Sequence, residues 1–384
     1  MVASTDPPDL APRDGVLVRL AEAFQNWRDR RIADPAFQAW ATHFPLTRRL
    51  ANRQGLALYD LVAGFVYSQV LLACVNLDLF RLLQGTPLRA DEVAARVSLP
   101  PEAAERLLKA AASLNLLRIR RGDRYGVGPL GAALLGAPGV EEMVRHHPMF
   151  YRDLEDPVAL LNAPKGTTEL SQFWSYVAQD QVGAPEAAAY SRLMAVSQRM
   201  VAAETLAVHP MTGIERLMDI GGGQGAFLIA ALRATPAMRG IVFDLPEVAA
   251  RARSGLSAAD LDARADAIGG SFTDDPLPSG ADAISLIRVL YDHDTPVVEL
   301  LLSKVFAALP SGGSVLISEP MSGGTRPTRS GDAYFGFYTA AMTTGTPRSV
   351  AEHSRLLANA GFHHIRALRP RQKFVTQVIS AKKP

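Results

Sequence analysis

The chain has 384 residues, of which 48% are hydrophobic and 20% are charged, and 40 Lys plus Arg stand against 38 Asp plus Glu. This length is enough for two domains, and the composition is that of an ordinary soluble globular protein. A formal net charge of +2 argues against a dedicated nucleic-acid or membrane-surface polyelectrolyte. Cys74 is the single cysteine, so no disulfide can form within the chain, which indicates a reducing compartment.

The N-terminal arm, residues 1–50, begins MVASTDPPDLAPRDG, with Pro and Asp where a secretory signal has a basic start and an apolar core. We therefore expect no export and a cytoplasmic location. A helical pattern follows near residues 16–31. The arm's basic side chains leave association with a membrane surface open, and they are Arg28, Arg30, Arg31, Arg48 and Arg49.

The apolar run from Leu61 to Leu77 is the one candidate for a membrane span. It falls short of the roughly 20 residues that a bilayer requires, and Asp60 and Asp78 bound it. We interpret it as a helix buried in the core of a dimer or of a domain.

Residues 51–140 read as three short helices, the hairpin RIRRGDRYGVGP and a last short helix, which is the order of a winged helix-turn-helix. A DNA reader needs polar or basic side chains on its second helix. In PEAAERLLKAAASLNLL only Arg106 and Lys109 meet that need, and Glu102 and Glu105 oppose them. We expect this domain to dimerise and not to bind nucleic acid.

Residues 141–212 form a helical linker whose aromatic and methionine side chains recur at helical spacing. Most of them fit an interdomain core, but helices that join two domains commonly wall the cleft between them. His146 and His147 are adjacent, so we expect them to point apart, and no Cys or carboxylate cluster stands beside them at metal spacing. We predict no metal.

From residue 213 to 384 short apolar strands alternate with helices, which predicts a parallel sheet with a ligand crevice at the carboxyl ends of its strands. Helices are expected to begin near Gly225, Glu247, Pro296 and Ser349. The predicted strands are residues 216–220, 239–244, 263–270, 281–290, 314–320, 364–369 and 374–380.

The most informative motif is LMDIGGGQGAFLIAAL, residues 217–232, in which glycines follow a strand and precede a helix. Without a Cβ, Gly221, Gly223 and Gly225 let the backbone pass close beneath a ligand. A dinucleotide loop reads G-x-G-x-x-G, whereas here Asp219 precedes the first glycine. A carboxylate at that place repels a pyrophosphate but accepts a hydrogen bond from an ammonium group.

Asp244 ends the next predicted strand, in IVFDLPEV. Its carboxylate can hold a ribose diol, or it can cap the helix that starts near Pro246. Together with Asp219 it predicts a site for a cationic amino acid joined to a nucleoside. S-adenosylmethionine (SAM) is such a molecule.

Four motifs in order carry a resemblance to a known family: DIGGGQG at residues 219–225, FDLPEV at 243–248, ALPSGGSVLISEP at 308–320 and LLANAGF at 356–362. With the N-terminal segments LVAGFVYSQVLLACVNLDLF and RGDRYGVGPLGAALL, the chain resembles class I SAM-dependent O-methyltransferases of the caffeic acid or hydroxyindole type over roughly residues 57–382. HHPMFYRDLEDPVALL and RVLYDHD resemble the bacterial carotenoid branch, the demethylspheroidene and hydroxyneurosporene O-methyltransferases.

The resemblance implies an α/β fold: a Rossmann-like sheet of seven strands with the last one antiparallel, and an N-terminal winged-helix domain that forms a homodimer. It also implies S-adenosyl-L-methionine as cofactor and S-adenosyl-L-homocysteine as product. Ser271 stands where the family often has an Asp beside the adenine. The implied cofactor contacts are Asp219, Gly221, Gly223, Asp244, Leu245, Ser271, Phe272, Arg288 and Met194.

In plant relatives the fourth strand ends in Leu-His-Asp-Trp, with the His as general base toward a phenol. The matching letters here are LYDH, so Tyr291 stands at the base position and His293 lies two residues on. Glu319 matches one glutamate that orients the family's His, and the second falls on Pro347. His293 is the competing proton acceptor if the strand continues, because alternate residues share a face. The implied catalytic residues are Tyr291, His293 and Glu319.

A tertiary alcohol is far less acidic than a phenol, whose pKa is about 10, so a His with a pKa of about 6.5 is poorly matched to remove its proton beforehand. Methyl transfer then depends on proximity, alignment and exclusion of water, with Tyr291 orienting the hydroxyl. We predict methylation of a large apolar alcohol, the tertiary hydroxyl of a hydroxylated carotenoid in spheroidene biosynthesis. A phenol or polyketide, or a SAM-sensing regulator without catalysis, is the alternative. The predicted substrate contacts are Met149, Tyr151, Trp174, Phe335, Tyr338 and Met342.

Overall fold

The computed structural model describes residues 16–137, 139–178 and 185–384, with backbone alone over residues 174–196. Two compact units divide at residues 73 and 74, inside one long helix. The predicted domain limits at residues 50, 140 and 212 remain predictions.

The first unit contains α1 (Val16–Ile32), α2 (Pro35–His43) and most of α3 (Arg48–Asn76). No residue of α1 is buried, and α3 buries only Cys74 and Val75. Among the described helices, α3 alone is long and apolar enough to cross a membrane by these criteria. Burial of this helix in the core of a single chain is therefore wrong, and the alternative of a dimer core stays a prediction.

The second unit opens with the winged-helix order that the sequence predicts. Its elements are α4 (Leu79–Leu82), α5 (Ala90–Val97), α6 (Pro101–Ser113), the antiparallel pair β1 (Leu117–Arg120) and β2 (Arg124–Val127), and α7 (Pro129–Leu135). On α6 the ammonium of Lys109 lies 2.7 Å from the Glu105 carboxylate, so one of the two cations on that helix is neutralised.

Four helices follow, and they include the segment predicted to line the substrate cleft. They are α8 (Val140–Asp153), α9 (Pro157–Leu161), α10 (Glu169–Ala178) and α11 (Pro185–Val208). Asp156 starts α9 by accepting the backbone N–H groups of Val158 and Ala159. Such a cap satisfies donors that have no partner inside the helix.

The predicted seven-stranded sheet is confirmed. Its strands are β3 (Arg216–Ile220), β4 (Arg239–Asp244), β5 (Ala265–Gly269), β6 (Ala283–Ile287), β7 (Ser314–Glu319), β8 (His363–Leu368) and β9 (Gln377–Lys382). Across the sheet they lie in the order β5-β4-β3-β6-β7-β9-β8. β9 is antiparallel to both of its neighbours, and the strands from β3 to β7 are parallel.

Helices cover both faces of this sheet, so its central strands are mostly apolar and buried on both faces, as β6 shows with five buried residues. Residues of α11, α12 (Ala226–Ala234) and α13 (Pro246–Ala258) belong to one apolar cluster with strand residues, and those of α14 (Thr295–Ala308) and α16 (Val350–Asn359) to another. A π-helical turn (Arg329–Phe335) and α15 (Gly336–Met342) complete the fold.

The fourth strand of the sheet, β6, is shorter than predicted. It ends at Ile287 because Arg288 takes a φ of +58°, and Leu290–Asp292 forms a 3-10 turn. The strand does not continue through Asp292, so His293 does not share a strand face with Tyr291. The route by which His293 was predicted to reach the substrate hydroxyl is wrong.

Candidate active site

Parallel strands β3, β4, β5 and β6 end along one edge of a cavity of about 350 Å³. The strand order reverses between β3 and β6, the place where open α/β sheets bind ligands. The volume lies within the range of small-molecule sites. Its walls are formed by Gly221, Asp244, Leu245, Gly270, Ser271, Phe272, Thr273, Arg288, Val289, Asp292 and His293.

The glycine loop after β3 needs its glycines for two reasons. Gly221 and Gly223 have φ values of +64° and +58°, which L side chains rarely adopt, and a Cβ on Gly221 would lie 2.8 Å from Val289. Beneath the loop, Asp219 is fully buried and accepts a 2.6 Å hydrogen bond from Ser285 through Oδ1. Burial raises the pKa of Asp219 to about 7.

The second oxygen of Asp219, Oδ2, is buried without a hydrogen-bond partner among the described residues. An unsatisfied buried acceptor costs about 1–3 kcal/mol, so a group that supplies a donor or a positive charge stabilises it. This acceptor and the glycine cradle fit the amino acid end of SAM.

Asp244 contacts the glycine loop and not the helix behind it. Its Oδ2 accepts the backbone N–H of Gly223 at 2.8 Å, and its Oδ1 accepts that of Leu245 at 2.8 Å. Leu245 precedes α13 but no side-chain cap is made there, so the capping interpretation is not supported. Asp244 lines the cavity, and each of its carboxylate oxygens can accept a further hydrogen bond, which suits a ribose diol.

Ser271, Phe272 and His293 line the same cavity. The hydroxyl of Ser271 donates to Asp274 at 2.7 Å, so a carboxylate absent from position 271 is present three residues later. The ring of His293 meets that of Phe272 edge-on, with centroids 5.2 Å apart. Burial lowers the pKa of His293, which leaves a neutral ring beside an aromatic one.

Tyr291 is buried, with 1% of its surface exposed, and its hydroxyl accepts from Nη2 of Arg288 at 3.3 Å. Nη1 of Arg288 donates to Ser197 at 3.0 Å. Burial raises the pKa of Tyr291 well above its ordinary value, so the phenol stays protonated. Burial acts against the charge of Arg288, but Tyr291 and Asp292 more than offset it and the pKa of the guanidinium is raised.

Glu319 ends β7 and is fully buried. Its Oε2 accepts the backbone N–H groups of Leu290 at 2.9 Å and of Tyr291 at 3.2 Å. Its Oε1 lies 3.0 Å from Nε2 of the equally buried His353. Glu319 therefore holds the turn that presents Tyr291.

Aromatic side chains of α8, the π-helical turn and α15 form a cluster next to Tyr291. The Tyr291 and Phe335 rings lie 6.0 Å apart, and Phe335 in turn packs against Tyr338 at 6.3 Å. Tyr338 and Met342 are buried with Phe150. The structure thus brings Phe335, Tyr338 and Met342 together.

His146 and His147, which we expect to point apart, contact two different tyrosines. They lie on a helix, where neighbours differ by about 100° and not 180°. His146 Nε2 lies 3.1 Å from the Tyr338 hydroxyl, and His147 Nε2 lies 2.9 Å from that of Tyr334. Burial lowers the pKa of His146 to about 4, so its ring is neutral.

The other predicted substrate and cofactor contacts form two groups: those on α8, and those whose side chains are not described. Tyr151 stands edge-on to His147 with centroids 6.2 Å apart, and Met149 is half-buried on the same helix. The side chains of Trp174 and Met194 lie outside the described residues. Within the described ranges no group of three or more metal-ligating side chains comes together, and the absence of a metal remains a prediction.

Comparison with known proteins shows the family. The family model of the O-methyltransferase domain matches residues 151–363, and that of the O-methyltransferase dimerisation domain matches residues 59–137. The chain belongs to the O-methyltransferase family. As a member it is a SAM-dependent O-methyltransferase, and the matched dimerisation domain supports a homodimer.

Two curated relatives and one solved structure show how far the likeness extends. Demethylspheroidene O-methyltransferase of Cereibacter sphaeroides is 48% identical over 352 residues, which are 91% of this chain and 92% of that protein. The enzyme of the same name from Rhodobacter capsulatus is 46% identical over 88% of this chain and 85% of its own length. The SAM-dependent methyltransferase SibL superposes with a TM-score of 0.73 at 26% identity, over 85% of this chain and 99% of its own.

None of these three proteins supports the alternative of a regulator without catalysis.

The sequence pattern did not indicate every residue of the site. Neither Asp292 nor Tyr334 is among the predicted site residues. The adjacent histidines were a usable signal for Tyr334, because an imidazole in an apolar helix needs a polar partner.

Proposed function

We propose that the protein methylates the tertiary hydroxyl of a hydroxylated carotenoid, as in spheroidene biosynthesis. The observation that carries the proposal is the site itself: a SAM-type cavity meets a buried aromatic cluster at Tyr291 and Arg288, and no histidine stands at the base position. The relatives named above support it, since two of them are demethylspheroidene O-methyltransferases.

The chain offers a contact for each part of the cofactor. Asp219 and the loop at Gly221 and Gly223 would hold the amino acid end, Asp244 the ribose, and the wall of Leu245, Ser271, Phe272 and His293 the adenine. When bound, SAM supplies an electrophilic methyl group on a sulfonium.

Arg288 and Tyr291 provide the chemistry at the acceptor. The protonated Tyr291 phenol donates a hydrogen bond to the substrate hydroxyl while it accepts one from Arg288. Phe335 and Tyr338 keep water from that position, because their rings pack at the turn that carries Tyr291. The pair thus aligns an alcohol oxygen for attack, which is a contribution from proximity and orientation.

We further propose a cytoplasmic protein whose arm rests on a membrane surface, where a carotenoid dissolves. Leu17, Leu20, Phe24 and Trp27 recur at helical spacing on α1 and are 82%, 61%, 61% and 59% exposed. The arm precedes residue 59, where the dimerisation match begins. Amphipathic helices with aromatic and basic residues bind anionic bilayers.

Flotation of the full chain with vesicles tests the membrane proposal. We expect binding to anionic vesicles, weaker binding to neutral ones, and at least a fivefold loss in the double variant Phe24→Ala and Trp27→Ala. Equal flotation of that variant, or a loss of dimer in it, would contradict the proposal. Light scattering of the same samples reports the oligomeric state.

The function itself is tested by incubating the purified protein with methyl-labelled SAM and, separately, a tertiary-alcohol carotenoid and a phenol. Transfer of label to the carotenoid at a kcat/KM at least tenfold above that for the phenol is expected. A preference for the phenol would favour a phenolic or polyketide substrate.

A further inference from the structure

Tyr291 stands where plant relatives have the histidine that acts as general base. The group that accepts the proton of the substrate hydroxyl must therefore be another one. The Tyr291 phenol is protonated and buried, so it cannot accept a proton unless it first loses its own. His293 lies with its ring against Phe272, at the wall where the adenine is proposed to bind. A different acceptor is needed near the junction of the cofactor cavity and the aromatic cluster.

Asp292 stands at that junction. It ends the 3-10 turn that follows β6, and it lines the cavity with Gly221, Arg288 and Val289. Its Oδ1 is buried and has no hydrogen-bond partner among the described residues. Such an orphaned acceptor costs about 1–3 kcal/mol and needs an explanation.

The charged and titratable groups around Asp292 come from three elements. Arg288 and Tyr291 belong to its own loop, Glu319 comes from β7, and Tyr338 comes from α15. Burial raises the pKa of Asp292 to about 8 and Glu319 adds to that rise, while Arg288 and a hydrogen bond with Tyr291 oppose it. A carboxyl with a pKa near the working pH is suited to accept and release a proton.

We propose that Oδ1 of Asp292 accepts the proton of the substrate hydroxyl during methyl transfer. This inference rests on the proposed function. The hydroxyl oxygen forms the new C–O bond with a lone pair while the C–S bond breaks with its electron pair going to sulfur. The O–H electron pair stays on oxygen, and the proton goes to the carboxylate. The products are a neutral methyl ether, a neutral thioether and a protonated Asp292, which then releases its proton to solvent.

A carboxylate is basic enough for this step because the proton leaves only after the C–O bond has begun to form. An unreacted tertiary alcohol holds its proton too strongly for a carboxylate to remove it. Once the C–O bond begins to form, the oxygen gains positive charge and the proton becomes strongly acidic. The role of Asp292 is thus to receive a late proton in a site from which water is excluded.

The variant Asp292→Asn removes the acceptor while keeping the side-chain shape. The matched control is Asp294→Asn, two residues on, whose exposed carboxylate pairs with Lys165 at 2.7 Å. We expect kcat with the hydroxycarotenoid to fall about a hundredfold or more in Asp292→Asn. SAM affinity by calorimetry should change less than threefold, and the control should match the wild type in both.

The pH profile of kcat/KM for the acceptor at saturating SAM separates proton transfer from a structural role. The kcat/KM of the wild type should rise with pH as Asp292 ionises, and that of Asp292→Asn should not. Should Asp292→Asn fail to fold, Asp292→Glu provides the test. This variant should stay active, but its kcat/KM should rise at a different pH from that of the wild type. A rise at the same pH would overturn the inference.

Two further results would overturn the inference. One is Asp292→Asn with kcat within threefold of the wild type and the same pH limb. The other is loss of SAM binding in that variant. If the wild type itself does not methylate the carotenoid, the proposed function falls together with this inference. An active wild type with an equally active Asp292→Asn variant overturns the inference alone.

Discussion

Nη2 of Arg288 donates to the hydroxyl of Tyr291 at 3.3 Å, and this contact joins the two halves of the site. Arg288 lines the cofactor cavity, while Tyr291 packs against the aromatic cluster through Phe335. The left-handed backbone of Arg288, with a φ of +58°, ends β6 and makes the contact possible. Strain of this kind persists where the surroundings fix it, and it is frequent at functional sites.

Replacing Tyr291 by Phe should cut turnover at least tenfold, about 1.4 kcal/mol of activation free energy, because the acceptor hydroxyl loses its orienting partner. SAM affinity should stay within threefold, since Tyr291 is not among the residues that line the described cavity and its hydroxyl reaches that wall only through Arg288. Steady-state kinetics with calorimetry measures both. Tyr125→Phe in the β1–β2 hairpin is the control, and an unchanged rate in Tyr291→Phe would remove this residue from the mechanism.

His293→Phe distinguishes a wall of the adenine site from a proton acceptor. The ring against Phe272 is preserved, so we expect kcat within about threefold of the wild type and a modest change in SAM affinity. A general base contributes about a hundredfold or more. A fall of that size in kcat, with intact SAM binding, would restore His293 as the base.

Asp219 makes the free enzyme less stable as pH rises. Its folded pKa of about 7 exceeds the unfolded value of about 3.9, so the folded chain binds more protons between these pH values. The contribution of protonated Asp219 to the free energy of unfolding is fully present below about pH 4 and is lost by about pH 7. In Asp219→Asn the fall in unfolding free energy from pH 5 to pH 8 should shrink by about 2–3 kcal/mol.

Urea unfolding at the two pH values, without SAM, measures this difference. The same variant should bind SAM at least tenfold more weakly, because the partner of the ammonium group is lost. An unchanged pH dependence would show that Asp219 is ionised in the folded chain throughout this range.

Glu319→Ala should destabilise the protein by about 2 kcal/mol or more, because the buried N–H groups of Leu290 and Tyr291 lose their acceptor. Turnover should fall with it, since the turn positions Tyr291. Glu319→Gln keeps an acceptor oxygen and should lose less of both. The control is Glu299→Ala on the exposed face of α14. Equal urea midpoints for the Ala variant and the wild type would contradict this role.

The sequence was sufficient for the sheet, because β-strands buried on both faces and a glycine loop after β3 carry their signal locally. It was also sufficient to place Asp219 and Asp244 at one edge, since parallel strands end together. It was insufficient at the end of β6. No local pattern reveals that Arg288 adopts a positive φ, which residues other than Gly and Asn rarely do.

Contacts between distant segments were equally hidden. His146 reaches Tyr338 across 192 positions, and Glu319 reaches Leu290 across 29. Such pairs depend on how helices pack around the sheet and not on spacing along the chain. The exposed apolar face of α3 is a related case, since hydrophobicity indicates burial but does not name what covers the helix.

The most direct measurement of the central claim is the rate of methyl transfer from labelled SAM to a tertiary-alcohol carotenoid, with a phenol of similar apolar size in parallel. Our account predicts a labelled methyl ether of the carotenoid and a kcat/KM at least tenfold above that for the phenol. Label that appears only on the phenol, or on neither acceptor while SAM is bound, would contradict it.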